Sequence, residues 1–358
     1  MFIPQENGSA LRIALGVASF VIIVAGMKAA ATLIVPFLLS GFIAIICAPA
    51  INSLKSRGLP MWMALTIVVI LIGLAGAVFM SILGGSIHKF TSQLPEYQSR
   101  LQGDISKLTV WLNDRGIDWL GDEVRQYMNP SVALSYVAKV FNGLGNLLAN
   151  GFLIFLTVMF LLFEGVAIKY KLQIISGNVE ETQTSQIADF LESVNKYMAI
   201  KSLTSLATGV LIAVWLWVLD VEYPLLWGLL AFILNYIPNI GSIIAAIPAV
   251  LLALVTAGPL TTLWVIAGYS LVNILVGNII EPKFLGERLG LSTLVVFLSL
   301  VFWGWILGTT GMFLSVPLTM VIKLGLDSRP ETKWIAVLLG SGKPPEAQVG
   351  DQGLRTED

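Results

Sequence analysis

The sequence predicts an all-α polytopic membrane protein, and three observations carry that prediction. Of its 358 residues 56% are hydrophobic and only 12% charged, roughly half the charged fraction of a soluble domain. The mean hydropathy is +0.84. The apolar residues gather in runs such as LRIALGVASFVIIVAG, MWMALTIVVILIGLAGAVFMSILGG and LTSLATGVLIAVWLWVL, each near the ~20 residues that cross hydrocarbon as a helix. A chain in lipid must pair its own backbone polar groups, which helices do and an open sheet does not.

The same composition excludes several functions. A formal charge of −1 argues against nucleic acid as a partner. The single Cys47 lies inside an apolar run, so it makes no internal disulfide and no multi-cysteine metal site. His88 is the only histidine and is expected at the membrane interface rather than as a ligand. Gly84-Gly85-Ser86 lacks the lysine and hydroxyl residue of a nucleotide loop. No hydrolytic triad or metal cluster is visible, so neither an enzyme nor a cofactor is expected.

Span 1 is expected at about 11–27. It has no small-residue cleavage site and meets span 2 after Lys28, so it is expected to be retained rather than removed as a signal peptide. Span 2 covers about 31–50, with Pro36 able to kink it and Pro49 helping to end it. Span 3 runs from about 61 to Gly84-Gly85 and closes a first membrane unit, 1–85. Residues 86–148 mix charge with apolar residues at helical spacing, Leu101, Ile105, Leu108 and Leu112. They predict two or three amphipathic helices joined around Gly116, either an extracytoplasmic rim or helices lying on the bilayer.

The unit 149–222 begins with span 4 at about 149–168. A polar helix at about 183–202 carries Ile187, Phe190, Leu191, Val194 and Met198 on one stripe and leads into span 5, about 203–219. The unit 223–338 holds the remaining apolar blocks, and the polar tail 339–358 is expected to be disordered. Basic residues favour the cytoplasm. Placing both termini there puts Arg12, Lys55 with Arg57, Lys169 with Lys171, and Lys323 on that side, with Lys28 the exception.

Two blocks interrupt themselves. YPLLWGLLAFILNYIPNIGSIIAAIPAVLLALVTAG breaks at Pro238 and Gly241 into arms of about 14 residues, or ~21 Å of helix, short of the ~30 Å of hydrocarbon. TLVVFLSLVFWGWILGTTGMFLSVPLTMVIKLG repeats the design, with a break at Gly308–Gly311 and a downstream Pro317. Both suggest re-entrant helical hairpins, as in transporters that build sites from discontinuous helices. The count is about eight hydrophobic segments: six or fewer complete crossings plus hairpins.

The candidate pathway residues are Asn235, Tyr236, Pro238, Asn239 and Gly241 at the first break, with Asn273 and Asn278 in the following span. Their amides and hydroxyl either glue helices together or line a passage. Glu281, Lys283, Glu287 and Arg288 form a charged patch where Pro282 is expected to end the helix. Glu281 is either an interfacial partner of Lys283 or a gating, proton-binding or cation-binding carboxylate. Glu164 in span 4 is a second coupling candidate. Gly308, Gly311 and Pro317 are candidate hinge positions, and small-residue faces leave room for a homo-oligomer.

The stretches WGLLAFILNYIPNIGSIIAAIPAV, GNIIEPKFLGERLGLSTLVVFLSLVFWGWILG and GMFLSVPLTMVIK resemble the autoinducer-2 exporter (AI-2E) family of bacterial inner-membrane proteins. The resemblance covers essentially 11–338. The family's Pro-x-x-Gly element falls on Pro238 and Gly241, its Asn-x-x-Glu-Pro element on Asn278, Glu281 and Pro282, and its terminal element on Gly311, Pro317 and Leu318. It implies transport of a small polar solute, with a quorum-sensing signal proposed for some members and proton-coupled cation exchange for others.

Overall fold

The computed structural model describes residues 7–115, 149–175, 181–238, 240–285, 291–327 and 331–340. Every regular element among them is helical. In chain order these are α1 (Asn7–Ala29), α2 (Ala31–Ser56), α3 (Met61–Asp114), α4 (Gly151–Ile175), α5 (Glu181–Val218), α6 (Pro224–Leu234), α7 (Gly241–Thr256) and α8 (Gly258–Val272). A π-helical stretch, Asn273–Ile280, joins α8 to α9 (Glu281–Leu285); then come α10 (Thr293–Phe313), α11 (Ser315–Asp327) and α12 (Lys333–Leu338). Five of the helical stretches are long and apolar enough to cross a membrane, and four more are apolar but shorter. Asn239 and the second half of the expected 86–148 segment lie outside the described residues, as does the tail from 341.

Hydropathy marks where lipid ends, and α3 shows that this is not where a helix ends. It passes Gly84-Gly85 without interruption and continues for 54 residues in all, ~80 Å at the α-helical rise. Leu83, Phe90 and Tyr97, seven residues apart, are buried against α6 and α7, and that packing outweighs the ~1 kcal/mol that each helical glycine costs. The expected separate helix carrying Leu101 and Ile105 is therefore the far end of span 3. Pro49 likewise does not stop α2, which runs on to Ser56. Lys28, the odd cation of the first hairpin, lies 3.8 Å above the ring of Trp305, a face that attracts an ammonium.

The two interrupted blocks are built alike. α6 and α7 have 11 and 16 residues, about 16 and 24 Å, so neither reaches across ~30 Å of hydrocarbon. Between them the backbone remains paired: Asn235 N–H bonds to Ala231 O at 2.9 Å and Ile237 N–H to Leu234 O at 2.9 Å. Gly241 then returns so close that an added Cβ would stand 1.8 Å from Leu234 O. In α10 the chain breaks at Gly308, with φ 68 and ψ −152, a region open essentially to glycine. Gly311 closes that break, and a Cβ there would stand 2.0 Å from Trp303 O. Both breaks thus bring a glycine onto an earlier carbonyl, although α10 with 21 residues is longer than either α6 or α7.

α6 also presses on α5. A Cβ on Gly228 would meet Gly209 O at 2.6 Å, so the two backbones touch where small residues allow it. The α5–α6 link is a tight left-handed turn. Asp220 has φ 54, and Val221 N–H reaches back to Leu216 O at 3.0 Å, which satisfies carbonyls the helix end would otherwise leave open.

Alanine at Gly241 or Gly311 should lower the thermal midpoint in detergent by the equivalent of about 3 kcal/mol or more, the upper range of overpacking. Gly41→Ala, where a Cβ meets nothing within 4 Å, should change it by less than about 1 kcal/mol. Equal effects at all three sites would show that the close approaches do not seal the breaks.

Candidate functional site

α5 supplies the floor of the site. Its inward stripe reads Val194, Met198, Lys201, Ser205, Thr208, Ile212 and Leu216, all buried, at the alternating three- and four-residue spacing of one helix face. Three polar residues thus occupy the middle of an apolar stripe. The Lys201 side chain is only 5% exposed, so its ammonium needs a partner on another element.

That partner is Glu281, and the π-helical stretch delivers it. On α8 the buried face runs through Val265, Tyr269, Val272 and Val276. An uninterrupted α-helix would next turn Ile279 or Ile280 inward and leave Glu281 roughly 140° away from Val276. Instead Glu281 N–H bonds to Val276 O, five residues back, and the wider turn brings the carboxylate round to α5. Pro282 accounts for the wider turn: it has no N–H to give and its ring would crowd the carbonyl four residues earlier. It does not end the helix, which continues to Leu285. Lys201 Nζ donates to both carboxylate oxygens, at 2.7 and 2.9 Å. Tyr197, one turn before Lys201 on the same face of α5, is buried as well.

The first break lies against the same helix. Asn235 Nδ2 donates to Ser205 Oγ at 3.0 Å, and Tyr236 OH to Ser202 Oγ at 2.8 Å. Asn235, Tyr236, Ser202, Ser205, Lys201 and Glu281 therefore form one polar patch between α5, the hairpin tip and the α8–α9 junction. Nearby, Thr208 Oγ1, Tyr269 OH and Asn195 Oδ1 are buried without a hydrogen-bond partner. Such groups are costly unless something polar visits them.

Other predicted residues lie differently. Pro238 is half-buried in the turn, and Gly241 acts through the close approach already described. Asn273 is half-buried and Asn278 exposed. Lys283 is exposed and Glu281 is held by Lys201 rather than by it; Glu287 and Arg288 lie outside the described residues. Glu164 is exposed on α4, which packs on α2 and α3 and so stands apart from the elements that hold the pair. Gly308 is the non-helical residue of α10, and Pro317 is fully buried in α11, where Thr319 Oγ1 accepts from Trp303 Nε1 at 3.1 Å.

A cleft of about 470 Å³ opens at the other end of α5, lined by Trp217, Asp220, Val221, Glu222, Pro224, Thr256 and Ala257. Lys201 is about 26 Å below the helix end, at 1.5 Å per residue. The overhang of α3 straps this end: Tyr97 OH donates to Glu222 and Tyr223 OH to Gln93 Oε1. Burial, then the Glu222 carboxylate, pushes the Tyr97 hydroxyl's pKa upward, which keeps it a donor.

The sequence contained a signal for Lys201 that the apolar pattern concealed. Continuing the stripe Val194, Met198 by three and four residues reaches Lys201 and Ser205, so a lysine falls on the inward face. With the lysine removed, the carboxylate is stranded in the interior. Lys201→Met should destabilise by about 3–5 kcal/mol, and the double variant with Glu281→Gln should recover most of that. Thermal unfolding of the two single variants and the double variant measures the coupling; additive losses would mean that the pair is not buried as a unit.

The description of the matching family is AI-2E family transporter, and its model covers residues 17–328. A "Putative transport protein" of Haemophilus influenzae is 43% identical over 94% of this chain and 98% of its own. The "AI-2 transport protein TqsA" of Escherichia coli is 40% identical over 93% and 96%, and the "Putative transport protein YhhT" of the same organism 37% over 97% and 99%. The chain belongs to the AI-2E family, multi-pass transporters of the bacterial inner membrane, and is a membrane transporter rather than an enzyme.

Proposed function

We propose that this chain exports a small, polar, uncharged solute of the autoinducer-2 kind, along a path between α5 and the α6–α7 hairpin tip. The observation that carries this reading is the polar patch of Asn235, Tyr236, Ser202 and Ser205 at a helix break inside an apolar bundle. An uncharged polyol needs hydrogen-bond donors and acceptors more than a counter-charge, and amides and hydroxyls supply both. Thr208 and Tyr269, buried and unpartnered, offer further stations. The 470 Å³ cleft beside Glu222 is the outer mouth, and both termini are cytoplasmic. Asn239 and the half-buried Asn273 belong to the same path, while Gly308, Gly311 and Pro317 give the second hairpin its bend. The bilayer is the one partner the path requires.

The relative named for autoinducer-2 transport, 40% identical to this chain, supports the choice of solute. The competing reading, cation/proton exchange through Glu281, needs a carboxylate available to ions. Both oxygens of Glu281 already accept from Lys201, which favours the uncharged solute.

Efflux of autoinducer-2 from proteoliposomes tests the path. Asn235→Ala and Asn239→Ala should each slow it about tenfold, the loss of one hydrogen bond of about 1.4 kcal/mol, without a change in folded yield. Tyr236→Phe should act in the same direction. Flux equal to wild type in all three would remove the path from this face of α5. Counterflow of protons with Na⁺, in the absence of the solute, would establish the antiporter instead.

A further inference from the structure

The Lys201–Glu281 contact has an odd construction for a structural salt bridge. One ammonium sits symmetrically on both oxygens of one carboxylate, at 2.7 and 2.9 Å, with the lysine side chain 5% and the glutamate 15% exposed. The carboxylate is brought there by a π-helical turn that costs the helix its regular phase. Tyr197 is buried one turn before Lys201 on the same face of α5, and Tyr236 at the hairpin tip donates to Ser202, the residue after Lys201. A buried carboxylate that turns both oxygens toward one ammonium is the anionic half of a setting that a monovalent cation fills.

We propose that Glu281 is the anionic half of a monovalent-cation site whose permanent occupant is the ammonium of Lys201, a cation tethered to the protein rather than drawn from solution. The tether explains why the charge can be buried at all: an isolated carboxylate would have to be neutralised or paired. It also sets what happens when the tether is cut. Lys201→Ala removes Cγ, Cδ, Cε and Nζ, the heavy atoms of n-propylammonium. The variant is left with an anionic pocket whose shape and donor requirement match that ion.

The proposal concerns the pair alone and stands whichever solute the protein carries, so a binding readout tests it separately from transport. Purified Lys201→Ala is titrated with n-propylammonium chloride while its thermal midpoint is followed, with tetramethylammonium chloride, which has no N–H to donate, holding the ionic strength. The midpoint should rise by several degrees and saturate at millimolar concentrations, as expected for a ligand that binds only the folded state. Wild type, whose site is filled, and Lys201→Ala/Glu281→Gln, which lacks the anion, should not respond. If Lys201→Ala does not survive extraction, the yield of folded, monodisperse protein extracted with and without n-propylammonium is compared, with Lys201→Arg as the reference. Recovery only in the presence of the ion supports the site. A flat titration, an equal rise in wild type or in the double variant, or no recovery with the ion overturns it.

Discussion

A peptide group left unpaired in hydrocarbon costs several kcal/mol, and that constraint shapes every irregular feature of this bundle. The chain interrupts its helices between Asn235 and Ile240, at Gly308 and at 273–280, and each interruption is closed by turn bonds or by a close backbone approach. The first break is closed by short-range turn bonds and by Gly241 lying on the carbonyl of Leu234. The second uses a conformation only glycine tolerates, with Gly311 lying on Trp303 O. The third keeps its bonds by lengthening them to five residues. None of these breaks leaves the apolar arms free to drift, because each is also packed: α6 against α5 through Gly209 and Gly228, and α10 against α11 through Trp303 and Thr319.

The breaks in turn explain where the polar side chains go. A straight helix through 258–285 would carry Glu281 roughly 140° away from the inward Val276, and a straight 224–256 helix would have no tip to present Asn235 and Tyr236. Each departure from regular geometry brings polar groups to the same stretch of α5, where Lys201, Ser202 and Ser205 receive them. The arrangement is mutually dependent. The π turn without Lys201 strands a carboxylate, and Lys201 without the π turn faces isoleucines.

Local chemistry was legible in the sequence and phase was not. Proline and glycine declare a break wherever they stand, so Pro238, Gly241, Gly308 and Gly311 could be placed from residue type alone, and the short arms followed from counting. Glu281 was recognisable as a charge near the membrane, but sequence proximity suggested Lys283 as its partner, whereas the contact spans eighty residues. Helical periodicity says which residues share a face of one helix; it does not name the helix opposite. Nor does a fixed 100° step foresee a wider turn. The length of α3 escaped for another reason: the packing of Phe90 and Tyr97 on α6 and α7, not hydropathy, carries that helix past Gly84-Gly85.

The change in polarity from the middle of α5 to its C-terminal end is itself informative. Its middle, at Lys201, holds a cation and an anion that neutralise each other. The end near Val218 holds Asp220 and Glu222 beside an open cleft, with Tyr97 donating to one of them. Between the two, the buried polar groups are hydroxyls and an amide: Ser205, Thr208, Asn235 and Tyr269. On the path proposed above, a charged solute would have to leave its water with no opposite charge along most of the way, a cost of several kcal/mol. A polyol loses only hydrogen bonds, which the route returns one at a time. The distribution of charge along α5, more than any single residue, is what supports the proposal of a neutral polar cargo.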